Sequence, residues 1–401
     1  MKRAVLASGG ILAGWLVQPA PAHAAPPLPP PYQGAYQPQG VDEVGLWREL
    51  DEDERVLTTS DLVIHDEALT AYVAKVLCDT VGADRCKATR VYIIREPAIN
   101  ASMAPNGTMR VFSGLLLRMR SEAELGAVLG HEFGHFERRH TLNHFKARRS
   151  GTDILAWASV LASISTSSSI QRSNQNIQLQ VYGDLYRFGR NQEREADILG
   201  LSYLNQSRLR PQAASQVWQN QMAEIEASAR VKGLSKPNFS TIAFTASHPP
   251  EAERAVYLAD LAQPDAANRD DGAERYRAAL MPWMPLFLAD QIKLNDFGAS
   301  EYVIQSLAQG GWSAQLWLAR GELYRGRGNP RDLVLAAEFY THALEMDAGL
   351  ADAYRGLGLS RLKTGQRSEG LEALRKYLQL KPDASDASMI RMMLPKEVTS
   401  H

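Results

Sequence analysis

The sequence predicts an α+β domain followed by an all-α domain. Two short β-like runs, residues 91–94 and 109–112, lie among helical stretches between residue 41 and about residue 262. From residue 273 to residue 395 the pattern is helical throughout. The length of 401 residues exceeds that of one typical domain, which also favours two domains.

The helical part contains a weak internal repeat. Trp283, Trp317 and Tyr354 recur at spacings of 34 and 37 residues, and a period of 34 is typical of tetratricopeptide repeats. We therefore expect residues 273–395 to form helix pairs of this kind. An all-helical domain with coincidental aromatic spacing is the alternative. Stacked repeats would present a concave surface to a peptide or a partner protein.

The first 24 residues have the order of features that an export signal requires. Lys2 and Arg3 precede an apolar stretch, and Ala22 and Ala24 supply a small-x-small cleavage pattern. We predict a signal peptide cleaved after Ala24. The alternative is a short buried helix. The next segment, residues 25–40, is rich in Pro, Gln and Gly and is predicted to be an extended linker.

The composition excludes some classes of partner. Lys and Arg total 44 against 45 for Asp and Glu, so no global positive field is available to bind nucleic acid. No apolar run is long enough for a transmembrane helix. Residues 153–164 form a shorter apolar stretch, for which three alternatives are open: a flap over a cleft, a surface that contacts membrane or client protein, and an ordinary core helix.

Cys78 and Cys86 are the only cysteines in the chain. An exported protein with two closely spaced cysteines usually pairs them, so a local disulfide is expected. Zinc binding by this pair is the alternative, although the spacing is wider than C-x-x-C and no second pair exists.

Residues 121–140 carry the motif with the clearest chemistry. Ser121 and Glu124 form a capping box, which predicts a helix that continues to about residue 140. His131 and His135 lie one turn apart on the same face of this helix, where two imidazoles can bind one zinc ion. With Glu132 between them, the sequence reads H-E-x-x-H, and Glu132 is placed to act as the general base.

A catalytic zinc site needs a third protein ligand, and residues 191–197 offer carboxylates on a second helix. We assign Glu193 as that ligand. Asp197, one turn further on, is expected to orient a ligating histidine through its far ring nitrogen. Glu195 is predicted to be a solvated charge that points away from this face. His140 lies about half a turn off the ligand face and is predicted to cap or pack.

His248 and Arg254 are further candidates for catalytic roles, and each has two interpretations. His248 could donate a hydrogen bond to the oxyanion, or it could occupy the fourth zinc position and hold the enzyme latent. Arg254 could bind the oxyanion or the substrate backbone, or it could anchor the turn that contains His248. The sequence leaves both pairs of alternatives open.

These motifs together resemble the CAAX prenyl protease/HtpX-like family of zinc metallopeptidases. Within it the chain is most similar to the exported branch with C-terminal tetratricopeptide repeats, the β-barrel assembly-enhancing proteases. The motifs that carry the resemblance are, in chain order, NASMAPNG at residues 100–107, GLL at 114–116, HEFGH at 131–135, EREAD at 193–197 and SHPPEAER at 247–254.

The resemblance implies a fold, a cofactor and a role. The fold class is an α+β, gluzincin-like zinc metallopeptidase domain at residues 41–262, followed by the tetratricopeptide-repeat domain at 273–395. One zinc ion is expected on His131, His135 and Glu193. Residues 109–112 would be an edge strand to which an extended substrate adds as a further strand.

The implied function is that of a periplasmic endopeptidase in the quality control of outer-membrane proteins. Its substrates would be unfolded or misassembled envelope proteins, and the repeats would recruit them or an assembly machinery. The rival hypothesis is a periplasmic chaperone or scaffold whose metal site is structural or blocked by His248. Glu132 favours the enzyme, because a closed structural site has four ligands and needs no base.

Overall fold

The computed structural model describes residues 37–149, 189–239, 251–264 and 268–395. Over these residues the protein is mostly helical and has one small sheet. The predicted signal peptide, most of the predicted linker and the apolar segment at residues 153–164 lie outside the described residues. In the described part of the chain, every helix is too short or too polar to cross a membrane.

The first part of the described chain contains the sheet and the helices around it. Its elements are α1 (Gly40–Leu57), α2 (Glu67–Val81), α3 (Ala83–Cys86), β1 (Arg90–Ile94), β2 (Ala101–Met103), β3 (Thr108–Phe112), α4 (Ser113–Arg118), α5 (Glu122–Glu137), α6 (His140–Arg149), α7 (Arg190–Gln206), α8 (Ala213–Val231) and α9 (Glu251–Leu261).

The second part is helical. Its elements are α10 (Ala273–Leu280), α11 (Met284–Lys293), α12 (Phe297–Ala308), α13 (Ala314–Arg327), α14 (Pro330–Met346), α15 (Ala351–Lys363), α16 (Arg367–Leu380) and α17 (Ala387–Met393).

The sheet has the strand order β1-β3-β2. β1 runs parallel to β3 with Arg90 opposite Thr108, and β2 runs antiparallel to β3 with Ala101 opposite Val111. Both sides of β3 are therefore paired, and the prediction that residues 109–112 form an edge strand is wrong. Among the described strands, β2 is the edge strand that lies against α5, the helix with the H-E-x-x-H motif. The sequence did not indicate β2, because Ala-Ser-Met is short and has little β propensity.

Helix α5 begins as predicted and ends early. The Ser121 side chain accepts a hydrogen bond from the Glu124 backbone nitrogen at 3.1 Å, which caps the helix. The helix ends at Glu137 because Arg139 adopts the left-handed conformation, with φ of 54°. This change of direction makes His140 the first residue of α6 instead of the end of α5.

Glycines allow α5 and α7 to pack with their backbones in close approach. A Cβ added at Gly200 would lie 2.8 Å from the His131 nitrogen and 3.0 Å from the Gly130 carbonyl carbon. A Cβ added at Gly134 would lie 3.0 Å from the Ala196 oxygen. The two helices that carry the predicted metal ligands are thus packed in direct backbone contact.

We expect Gly200→Ala to lower the free energy of unfolding by about 1–3 kcal/mol, because the added methyl group overlaps the α5 backbone. Gly45→Ala is the matched control. Its methyl group would meet no atom within 4 Å on the exposed side of α1. We therefore expect the free energy of unfolding to rise by about 0.5–1 kcal/mol, because alanine has the higher helix propensity. Urea denaturation measures both values. A shift of the same sign in the two variants would contradict the close packing.

The two cysteines form a disulfide. Cys78 near the end of α2 is bonded to Cys86 of α3, with a Cα–Cα distance of 5.2 Å. The bond closes a loop of sequence separation 8 and ties α3 to the helix that packs behind the sheet.

We expect Cys78→Ser/Cys86→Ser to lose about 2–3 kcal/mol of stability, since a short cross-linked loop restricts the unfolded chain by about that amount. The measurement is the urea midpoint of the double variant beside the unmodified chain, each with and without reductant. Reductant should lower the midpoint of the unmodified chain and leave the double variant unchanged. An effect of reductant on the double variant would exclude this explanation.

One hydrophobic core continues from the sheet into the C-terminal helices. It contains Met109 of β3, Leu116 of α4, Phe133 of α5 and Phe287 of α11. The hydroxyl group of Tyr276 in α10 donates a hydrogen bond of 2.6 Å to the Leu116 carbonyl. The first of the C-terminal helices therefore pack directly on the part of the molecule that carries the predicted metal site.

Candidate metal centre

Helices α5 and α7 bring His131, His135 and Glu193 together. The two histidine Nε2 atoms are 3.2 Å apart. The Glu193 carboxylate places Oε2 at 3.5 Å from His131 Nε2 and Oε1 at 3.6 Å from His135 Nε2. All three side chains are buried, and the three candidate ligand atoms lie within 4.8 Å of one another.

This geometry fits a zinc ion. Tetrahedral zinc with ligands at about 2.0–2.2 Å separates neighbouring ligand atoms by roughly 3.3–3.6 Å, close to the observed spacing. Two imidazoles and one carboxylate form a donor set typical of catalytic zinc, which keeps the fourth position open. The side chains that the sequence predicted as ligands are therefore arranged as one zinc ion requires.

Asp197 fixes the orientation of the His131 ring. Its Oδ1 lies 2.8 Å from His131 Nδ1, which leaves Nε2 directed toward Glu193. Burial alone would raise the pKa of Asp197, but Arg254 and His131 outweigh burial and hold that pKa below its usual range. The hydroxyl group of Tyr257 also donates to the Asp197 carboxylate. Asp197 is therefore an ionised acceptor against the His131 ring.

Arg254 lies behind the candidate ligands and is almost fully buried. It donates hydrogen bonds of 2.7 and 2.6 Å to Asp197, and its Nη1 is 3.2 Å from Glu193 Oε2. Its guanidinium lies 3.8 Å from the ring centroid of Trp218. These contacts hold the guanidinium against Asp197 and Glu193. The turn that contains His248 lies outside the described residues, so both alternatives for Arg254 stay predictions. His248 lies outside the described residues, so both of its roles stay predictions.

His140 contacts a candidate ligand, which the sequence analysis missed. It is buried, and its Nδ1 lies 2.9 Å from His135 Nδ1. Its Nε2 lies 3.3 Å from Glu195 Oε2. Glu195 keeps 47% of its side chain exposed and also forms an ion pair of 3.1 Å with Arg138, which agrees with the predicted solvated charge. Its contact with His140 was not predicted. The prediction that His140 lies off the ligand face assumed that α5 continues through Arg139.

A pocket opens beside the candidate ligands. Glu132 and His131 lie on one side, and Ala101 of the edge strand β2 lies on another. The rest of the wall is mostly apolar and includes Leu115, Val128, Leu201, Val217, Trp218 and Leu258. This pocket can take an apolar side chain next to the position of the predicted base.

Comparison with known proteins identifies the domain. Residues 65–262 match the model of Peptidase family M48. Residues 65–262 are therefore a Peptidase family M48 domain. The M48 domain is a zinc-dependent metalloendopeptidase domain, and the cluster of His131, His135 and Glu193 is where it could hold the metal.

Three relatives illustrate the similarity. The chain is 29% identical over 187 residues to "Mitochondrial metalloendopeptidase OMA1" of Schizosaccharomyces pombe. The aligned residues cover 46% of this chain and 50% of the relative. It is 31% identical over 156 residues to "Putative beta-barrel assembly-enhancing protease" of Vibrio cholerae, covering 37% of this chain and 32% of the relative. It is 28% identical over 196 residues to "Metalloprotease YcaL" of Escherichia coli, covering 47% of this chain and 67% of the relative.

These matches confirm the resemblance that the sequence motifs indicated, including the one to β-barrel assembly-enhancing proteases. The chain spans half or less of the length of the first two relatives. The tetratricopeptide repeats stay a prediction, because the matched residues end at 262.

Proposed function

We propose that this protein is an exported zinc-dependent endopeptidase that cleaves unfolded or misassembled proteins of the periplasm. The observation that carries the proposal is the buried cluster of His131, His135 and Glu193, with Glu132 beside it at the wall of an open pocket. A structural zinc site would need a fourth protein ligand and would not need an adjacent carboxylate.

We assign distinct roles to the side chains of the site. Zinc held by His131, His135 and Glu193 supplies a Lewis acid that activates water and polarises the peptide carbonyl. Glu132 accepts the proton of the attacking water and passes it to the leaving amine nitrogen. Asp197 keeps the Nε2 atom of His131 directed at the metal position through its contact with Nδ1.

The position of β2 supports binding of extended substrates. Ala101 of β2 lines the same pocket as His131 and Glu132. A substrate strand that hydrogen-bonds to this edge would run along α5 and bring a peptide bond to Glu132. Backbone pairing demands no particular sequence, and the apolar pocket would add a preference for one apolar side chain. Such a mode admits unfolded chains and excludes folded ones.

The contacts between the C-terminal helices support the proposed repeats. In the pair α13 and α14, a Cβ added at Gly321 would lie 2.6 Å from the Tyr340 ring. In the pair α15 and α16, a Cβ added at Gly358 would lie 2.7 Å from Leu374 and 2.8 Å from the Gly370 oxygen. A small residue of the first helix thus meets the second helix in both pairs. We propose that these units, as tetratricopeptide repeats, recruit client proteins or an assembly machinery.

The envelope location is proposed from the signal-like first 24 residues and from the relatives named as β-barrel assembly-enhancing proteases. The disulfide between Cys78 and Cys86 is consistent with an oxidising compartment. Outer-membrane proteins that fail to assemble are the substrates that this location suggests.

The test is degradation of casein, an unfolded protein, by the purified mature chain. We expect cleavage that stops when a chelator removes zinc and returns when zinc is restored, since the metal supplies the Lewis acid. A tightly folded protein of similar size should resist cleavage. Zinc-loaded protein that leaves casein intact would contradict the proposal. Suppression of casein aggregation under those conditions would then favour the chaperone or scaffold alternative.

A further inference from the structure

Two side chains, His140 and Glu195, extend from His135 as a series of polar contacts. His140 Nδ1 lies 2.9 Å from His135 Nδ1, and His140 Nε2 lies 3.3 Å from Glu195 Oε2. Both ring nitrogens of the buried His140 are therefore directed at polar atoms of defined chemistry. This arrangement is more specific than packing alone requires.

The positions of the protons follow from the ligand role of His135. A neutral imidazole that binds metal through Nε2 carries its proton on Nδ1. His135 must then donate from Nδ1 to His140 Nδ1, which must be an acceptor. The proton of His140 consequently lies on Nε2, where the Glu195 carboxylate accepts it. Under this assignment His135 donates to His140, and His140 donates to Glu195.

We propose that His140 and Glu195 are positioning residues for the metal centre. They fix the tautomer and ring orientation of His135, as Asp197 does for His131, and thereby strengthen zinc binding. The proposal rests on the proposed zinc ligands and adds a second outer contact to them. Asp197 acts on its ligand directly, whereas Glu195 acts on His135 through His140.

The backbone supports a functional reason for this geometry. Arg139 adopts the left-handed conformation, which is unfavourable for a residue with a side chain. Because α5 stops there, His140 turns back toward His135 instead of continuing around the helix. Unfavourable backbone conformations of this kind are concentrated at functional sites, where they position particular side chains.

The test is the zinc affinity of the full chain, measured by competition with a chromogenic chelator. We expect His140→Leu to weaken zinc binding about 10–100-fold, because removing an outer contact of a ligating histidine has effects of that size. His140→Asn offers an amide oxygen to His135 and should recover part of the loss. Glu195→Gln should weaken binding less than tenfold, since its amide oxygen still accepts from His140.

Glu253→Gln is the matched control. Glu253 is an exposed carboxylate whose one described ion pair is with Arg194, at 3.8 Å. The zinc affinity of the Glu253→Gln variant should therefore equal that of the unmodified chain. A folded His140→Leu variant with unchanged zinc affinity would overturn the proposal. Failure of the unmodified chain to bind zinc would instead overturn the proposed function.

Nitrogen NMR of the ¹⁵N-histidine-labelled, zinc-loaded chain tests the proposal without a variant of His140. We expect His135 to be protonated on Nδ1 and His140 on Nε2. A proton on His140 Nδ1 would contradict the assignment, because His140 could not then accept from His135. This measurement decides the matter even if substitution of the buried His140 prevents folding.

Discussion

Glu132→Gln should abolish the cleavage of casein while the variant keeps its zinc. The substitution preserves the size of the side chain and its position at the pocket but removes the group that accepts the proton. General base catalysis contributes about 10²–10⁴-fold to a rate, so we expect a loss of at least that size. Because Glu132 is not among the clustered ligand atoms, the zinc content should stay at one ion per chain.

The measurement is the initial rate of casein cleavage together with zinc content by metal analysis. Glu253→Gln, which changes an exposed carboxylate away from the candidate ligands, should keep the full rate. Undiminished cleavage by Glu132→Gln would show that another group is the base. Loss of both zinc and cleavage would show that Glu132 contributes to metal binding.

Glu193→Gln should remove most of the zinc and with it the activity. Glu193 supplies the carboxylate of the candidate ligand set, and its Oε2 also lies 3.2 Å from Arg254 Nη1. The amide keeps the shape of the side chain but not its charge. We expect zinc affinity to fall by more than the roughly 10–100-fold that is typical for loss of an outer contact.

Glu253→Gln is the matched control, because it makes the same change at an exposed carboxylate away from the candidate ligands. Chelator competition measures zinc affinity in both variants, and the urea midpoint of the zinc-free proteins reports folding. Equal zinc affinities for Glu193→Gln and Glu253→Gln, with both proteins folded, would exclude Glu193 as a ligand. A much lower urea midpoint for Glu193→Gln would show that its contact with Arg254 matters mainly for stability.

The sequence could predict the candidate ligands because helix periodicity places each pair of residues on one face of its own helix. His131 and His135 are one turn apart, and Glu193 and Asp197 repeat that spacing on a second helix. The contact of Asp197 with His131 at 2.8 Å agrees with this reasoning. Positions that depend only on the regular geometry of one helix can be read from spacing.

Other features depend on departures from regular geometry. The role of His140 follows from the left-handed conformation of Arg139, and the sequence gives no cue that a non-glycine residue adopts it. The edge strand β2 has only three residues, so it leaves little pattern to detect. The place of Arg254 behind the candidate ligands depends on its tertiary contacts with Asp197 and Trp218, which no local pattern encodes.

Anomalous diffraction at the zinc edge from crystals of the zinc-loaded chain tests the central claim most directly. The proposed centre predicts one strong peak about 2.0–2.2 Å from the Nε2 atoms of His131 and His135 and from a carboxylate oxygen of Glu193. A strong peak at other side chains, with none between these three, would contradict it.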